Sequence, residues 1–163
     1  MKQKTIIDFK TSANANHWII IDDVVMGGKS SGHFKINEDG YGKFYGEISL
    51  DNNGGFSSVR YRGENIDVED FTKVTLHLKG DGKRYQFRIK ADGNDKHSYV
   101  THFSTTGDWE TITITLKALQ PKFRGKHLER SNFSETTIAE LGFLFGNKTA
   151  EPFTLLIDSI VLQ

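Results

Sequence analysis

Cysteine is absent from this sequence. That removes disulfides, thiolate metal sites and thiol nucleophiles at once, and it leaves the redox compartment open. Proline is scarce: the two that occur, Pro121 and Pro152, fall between patterned segments. An excess of either charge is missing too, since 21 Lys and Arg offset 21 Asp and Glu for a formal net charge of zero. Balanced charge gives no electrostatic case for nucleic acid or an anionic membrane as the main partner. Long apolar runs are also lacking. Leu141 to Phe145 and Phe153 to Ile157 fall far short of the ~20 residues needed to span a bilayer. Residues 1–9 carry lysines, but neither an apolar run of signal-peptide length nor an Arg- and Ser-rich transit stretch. The expectation is a chain that begins at Met1, does not span a membrane and stays in the cytosol.

What the sequence does contain is alternation. Phe44, Ile48 and Leu50 alternate with Lys43, Tyr45, Glu47 and Ser49; Val74, Leu76 and Leu78 with Thr75 and His77; Tyr85, Phe87 and Ile89 with Gln86, Arg88 and Lys90. Ile112, Ile114 and Leu116 stand against Thr111, Thr113 and Thr115. Period-two rows of this kind put one face on a core and the other outward, as antiparallel half-buried strands require. Between them lie turn signals such as Glu38-Asp39-Gly40, Gly80-Asp81-Gly82 and Thr106-Gly107-Asp108. The best helical candidate, Ser134 to Leu141, is short and rich in β-branched residues, so it predicts a turn or two at most. The length of 163 residues suits one domain, and no repeat or linker divides it. The fold class expected is all-β, an antiparallel sandwich over residues 1–163. Phe153, Leu155 and Ile157 share one phase and Ile160 and Leu162 the other, which predicts a β-bulge at Asp158-Ser159. That closing strand is expected beside Thr5 to Phe9, bringing the two end segments together at one edge of a jelly roll.

The chemistry-bearing residues form no catalytic set. Asp22 and Asp23 are neighbours, and neighbours on a strand point to opposite faces, so a capping or turn role fits better than acid–base work. The six histidines, His17, His33, His77, His97, His102 and His127, show no metal-ligand spacing. His77 and His102 read as solvated. Asp8 and Asp158 near the paired end strands hint at structural calcium, but two carboxylates are few for an ion that takes about 6–8 oxygens. No cofactor, no metal and no enzymatic activity is expected. Met26-Gly27-Gly28 precedes a strand rather than a helix, so it is no phosphate loop; it reads as a tight reversal, with Ser30 and Ser31 as the alternative polar contact site. Asn52-Asn53-Gly54-Gly55 reads as a hairpin connection, with the two carboxamides beside Phe56 and Arg60 as a sugar or peptide contact in the other reading. Trp18 and Trp109 are expected in the core.

Two segments are more specific: Asp22-Asp-Val-Val-Met26-Gly27-Gly28-Lys-Ser30-Ser31, and Ser49-Leu50-Asp-Asn52-Asn53-Gly54-Gly55-Phe56-Ser-Ser-Val59-Arg60. Leu78-Lys-Gly80-Asp81-Gly82, Trp109, Pro121-Lys-Phe123-Arg124-Gly125 and Ile157-Asp158-Ser-Ile160 follow in order. Together they resemble the complex I intermediate-associated protein 30 (CIA30) family across about Ile6 to Leu162. The resemblance implies a galactose-binding-like jelly-roll sandwich and, in eukaryotic members, help in assembling respiratory complex I. The missing transit peptide departs from those members and suggests a stand-alone bacterial relative. The function expected is a non-catalytic binding or assembly factor with a protein partner, and the alternative is a carbohydrate-binding module. Phase arguments place Arg60, Arg88, Tyr99 and Phe103, rimmed by Asn52 and Asn53, on one exposed concave face as the binding site. Two or three coplanar aromatics there would favour sugar, and a broad apolar patch would favour protein.

Overall fold

A computed structural model describes residues 2–11, 16–22, 28–51 and 54–163. Its strands are β1 (Lys4–Asp8), β2 (Trp18–Asp22), β3 (Ser31–Ile36), β4 (Gly42–Glu47), β5 (Ser57–Tyr61), β6 (Ile66–Asp67), β7 (Lys73–Lys79), β8 (Arg84–Lys90), β9 (Ser98–Ser104), β10 (Trp109–Thr115), β11 (Gln120–Phe123), β12 (Lys126–His127), β13 (Thr137–Ile138), β14 (Glu140–Phe145) and β15 (Pro152–Leu162). A 3-10 turn, Leu116–Ala118, follows β10. Every pairing among the described residues is antiparallel. One sheet runs β10-β7-β15-β4-β3, with β1 also on β15, and the other runs β12-β11-β9-β8-β14-β5-β2. The predicted turn over Ser134 to Leu141 instead holds strand: Thr137 and Ile138 pair with β6, and Glu140 onward forms an interior strand of the seven-stranded sheet, between β8 and β5. Its β-branched and aromatic content won once a neighbouring strand was available.

The two sheets close on an aromatic core. Phe44, Phe153, Leu155 and Ile157 meet Tyr85, Phe87, Phe143 and Phe145, all at most 2% exposed. Phe145 stacks on Phe153 at 4.7 Å across the sandwich, and Phe44 meets Phe153 edge-on at 4.8 Å. Burying each such ring contributes about 1.5–3 kcal/mol. Trp18 stacks on Phe34 from the facing sheet at 4.9 Å, as a core tryptophan should. Asp22 fixes the same end: one carboxylate oxygen accepts the Gly32 N–H at 2.9 Å and the other accepts the Ser57 hydroxyl, so β2, β3 and β5 are held by one side chain. Asp23, Met26, Gly27, Asn52 and Asn53 lie outside the described residues.

Strand β15 behaves as its phase change predicted. The register slips between Ile157 and Ser159, so Asp158 bulges out, while Ile160 and Leu162 return to the core. Beside it, β1 pairs Lys4 with Leu162 and Asp8 with Ser159. Three expectations change here. His77 is not merely solvated, because its Nδ1 lies 2.8 Å from Asp158 Oδ2 across the bulge. Trp109 is not core: it starts β10 on the outer face, where its ring packs 4.5 Å from Tyr41 and 5.3 Å from His77. Leu50 leaves the apolar row because β4 ends at Glu47, and its side chain is 45% exposed.

Candidate functional site

Registry across the seven-stranded sheet decides which side chains share its outer face. On β8 the core takes Tyr85, Phe87 and Ile89, which leaves Gln86, Arg88 and Lys90 outward. Arg88 pairs with Gly142 of β14, and Gly142 pairs in turn with Arg60 of β5. Cross-strand partners point to the same face, so Arg60 and Arg88 stand on one surface, flanking a residue with no side chain. The expectation that these two arginines share a face therefore agrees with the register.

Tyr99 and Phe103 belong to the opposite face. Tyr99 pairs with Ile89, Thr101 with Phe87, and Phe103 with Tyr85, which sets all three on the core side. Both aromatic rings are 7% exposed; Tyr99 meets Phe133 at 5.2 Å, and Phe103 stacks on Tyr85 at 6.1 Å. The placement of Tyr99 and Phe103 in an exposed site is thus corrected. One threonine between two aromatics does not make a surface row, since Thr101 has a small hydroxyl and packs opposite Phe87. Asn52 and Asn53, the expected rim, fall outside the described residues.

Sequence reasoning missed Glu140, the carboxylate that organises the face. It lies two residues before Gly142 on the same side of β14, and its side chain is 9% exposed. Oε1 accepts from Arg62 Nε at 2.6 Å, and Oε2 lies 3.9 Å from Arg60 Nη1. Glu140 sits in the stretch read as a turn, so its strand phase was not legible. Arg88 has a neutral acceptor instead, with Nη1 donating to Gln86 Oε1 at 2.8 Å. No ion pair joins Arg88 to a carboxylate among the described residues. Burial and then the neighbouring Arg60 pull its guanidinium down to about 10, against the pull of Glu140. Arg60 and Lys90 are lowered too, each first by burial. His102, outward on β9, is lowered by burial and by Arg84, Lys122 and Arg88. The face is a cationic strip with one internal acid, and Arg88, even lowered to about 10, stays charged at neutral pH.

At one end the strip meets a groove of about 890 Å³, whose wall includes Arg62 and Glu140. Asp92, Asp95 and Glu135 line it too, among neutral residues such as Asn65, Asn94 and Thr137, so the sign of the surface reverses there. The outward positions of β2, β5, β14, β8, β9 and β11 carry no Phe, Tyr or Trp: Ile19, Ile21, Ser58, Leu144, Val100 and Gln120 stand where a ring would be. No group of three or more His, Cys, Asp or Glu able to hold a metal is assembled among the described residues. No helix among them is long and apolar enough to cross a membrane, which says nothing of β-barrels.

Comparison with known proteins agrees with this architecture. A family 11 carbohydrate-binding module from Clostridium thermocellum, solved with a β-1,3-1,4-mixed-linked tetrasaccharide, superposes with a TM-score of 0.72 at 18% identity, covering 98% of this chain and 94% of that one. The family 11 module of the C. thermocellum cellulase Lic26A-Cel5E gives 0.73 at 17% identity, over 99% and 94%. The xylan-binding module CBM86 from Roseburia intestinalis gives 0.55 at 13% identity, over 99% and 93%. Likeness at these identities is likeness of fold, a jelly-roll β-sandwich. The family model described as complex I intermediate-associated protein 30 matches residues 7–157, nearly the whole chain, and the chain belongs to that CIA30 family.

Proposed function

We propose that this domain is a non-catalytic binding module that acts as an assembly factor, holding a protein partner against the outer face of the seven-stranded sheet. The observation that carries this reading is the cationic strip itself: Arg60, Arg62, Arg88 and Lys90 surround one carboxylate, Glu140. Desolvated like charges side by side cost stability, and a fold retains such a group most readily where a ligand compensates it. The strip holds no hydroxyl or amine hydrogen-bonded to a general base, the minimum for nucleophilic chemistry. Membership of a family described as complex I intermediate-associated supports a protein as the partner.

A carbohydrate is the second reading, favoured by the shared fold with a module solved around a tetrasaccharide. Against it stands the lack of an outward aromatic row, because stacking on a ring is the usual anchor for a neutral sugar. The test is affinity capture from the native cell with the wild type and with an Arg60→Gln/Arg88→Gln variant. A protein captured by the first and lost from the second is expected. Capture that ignores the substitution, or retention of soluble glucans in place of protein, overturns the reading.

A further inference from the structure

Among the described residues, the strands that bound the two large sheets are guarded except for one. At one side of the sandwich the edges β2 and β3 lean on each other: Trp18 stacks on Phe34 at 4.9 Å, and Asp22 accepts the Gly32 N–H at 2.9 Å. Strand β1 carries Lys4 and a register shift between Thr5 and Ile7. Strand β12 is only Lys126 and His127, both exposed. Short length, charge and irregular register are the usual means of keeping an edge from pairing. Strand β10 has none of them. Its seven residues hold no proline, lysine or arginine, and they pair with β7 without a shift. Its one acid, Glu110, is engaged by the Thr106 N–H at 2.8 Å and the Thr106 hydroxyl at 3.0 Å. Hydrogen-bond phase shows which groups face the open side. Leu116 donates its N–H to the Thr72 carbonyl at 2.9 Å, in the same register as β10 and β7. Glu110, Ile112 and Ile114 therefore turn their N–H and C=O to β7, and Thr111, Thr113 and Thr115 turn theirs outward. None of those outward groups is paired among the described residues. All three threonines are exposed, and Ile112 between them is only partly buried.

We infer that β10 pairs antiparallel with β10 of a second copy of this chain, about a two-fold axis at Thr113, so that two six-stranded sheets join into one. The sequence of the edge selects its own copy. Thr111-Ile-Thr-Ile-Thr115 reads the same in both directions and carries no charge, so an antiparallel copy meets it in matched register with nothing to repel it. Thr113 then lies opposite Thr113, and Thr111 opposite Thr115. Each such pair exchanges two backbone hydrogen bonds, about six across the axis, and threonine opposite threonine is a favourable cross-strand pair. Ile112 falls opposite the partner's Ile114, which covers the side chain that the single chain leaves half-buried. The pairing uses the six-stranded sheet, so it neither rests on nor occupies the outer face of the seven-stranded sheet.

The test is sedimentation equilibrium of the whole chain over a dilution series. The wild type is expected to pass from one chain to two as concentration rises. Thr113→Pro removes only an outward donor, because that N–H makes no bond to β7, and it is expected to stay a single chain with an unchanged circular dichroism spectrum. Thr113→Lys and Thr113→Glu each set like charges opposite one another on the axis and are expected to associate severalfold more weakly. An equal mixture of those two is expected to recover the pair, a gain that damage to the fold would not produce. Because the sequence has no cysteine, Thr113→Cys gives a second readout. Bonded partners lie about 5.5 Å apart at Cα, inside the range of about 4.4–6.8 Å that a disulfide spans. Mild oxidation is therefore expected to join two Thr113→Cys chains faster than two chains of Lys35→Cys, which places its thiol on β3. A wild type that stays single at every concentration, Thr113→Pro that associates as the wild type does, a mixture no stronger than either variant alone, or equal oxidation rates overturn the inference. A single-chain wild type whose captured protein is lost from Thr113→Pro puts a strand of another protein on this edge, and that too overturns the second copy.

Discussion

Ser30 illustrates how much a single hydroxyl carries. It is 2% exposed; its Oγ accepts the Ser49 N–H at 2.9 Å and lies 3.2 Å from the Ser49 carbonyl. Ser30→Ala strands the part-buried Ser49 N–H, which costs up to about 1–3 kcal/mol, and a denaturant melt should report a loss within that range. Gly55 sits at φ 146°, where a β-branched residue is strained. Gly55→Val is therefore expected to cost about 1–3 kcal/mol by the same melt, comparable to Ser30→Ala rather than clearly more. His102 gives a residue-scale readout of binding. Burial and surrounding cations favour its neutral form, so an acidic ligand that offsets Arg84, Lys122 and Arg88 should raise its midpoint in an NMR titration. Its contribution to stability has the matching sign: a lowered histidine adds stability above its unfolded value, about 6.5, and loses it as pH falls. The arginines of the candidate site were legible from phase alone, because Arg88 alternates with three large apolar residues. Tyr99 and Phe103 were not, since alternation states that two residues share a face without stating which face is buried. Val100 and Ser98, between and beside them, are small enough to sit outward under neighbouring side chains, and they hid the answer.

Among the elements, β14 is the one on which both the sheet and the site depend. Its core side supplies Leu141, Phe143 and Phe145, and its outer side supplies Glu140 and Gly142. Phe143 touches Phe87 at 5.6 Å and Phe103 at 6.2 Å with no exposure. Phe143→Ala should cost about 3–5 kcal/mol, lowering Tm by roughly 6–20 °C for a chain of this size. Phe123→Ala, at the sheet edge and 38% exposed, should move Tm by no more than about 2 °C. Differential scanning calorimetry separates the two. The strands with clean alternation were readable because their polar and apolar rows are distinct. In β14 the run Leu141-Gly-Phe-Leu-Phe145 is apolar on both faces, and such a run does not separate a central strand from a short helix by period. The bulge at Asp158 was readable for the converse reason, since a change of phase within one strand has few other causes.

For the whole molecule, a net charge of zero conceals a strongly uneven surface. The cationic strip and the acidic groove lie end to end, so attraction to a partner acts at short range and weakens with salt. Raising ionic strength from about 0.05 to about 0.5 M, where screening shortens to a few Å, should weaken capture of the protein partner severalfold. It should leave Tm nearly unchanged, because the core that sets Tm is apolar. Replacing Arg88 by leucine should raise thermal stability while abolishing binding, since the buried charge opposes folding and serves recognition. The eleven residues of β15 carry a separate consequence, for the order of folding. They pair with β7 along one edge, and with β4 and then β1 along the other. Without them, β10-β7 and β4-β3 are two detached ribbons and β1 has no partner in that sheet. A growing chain must hold those edges bare until residues 152–162 emerge, a window in which unpaired strands invite other chains. A polypeptide stopped at residue 151 would keep all seven strands of the other sheet and yet aggregate, because the keystone of the facing sheet would be missing.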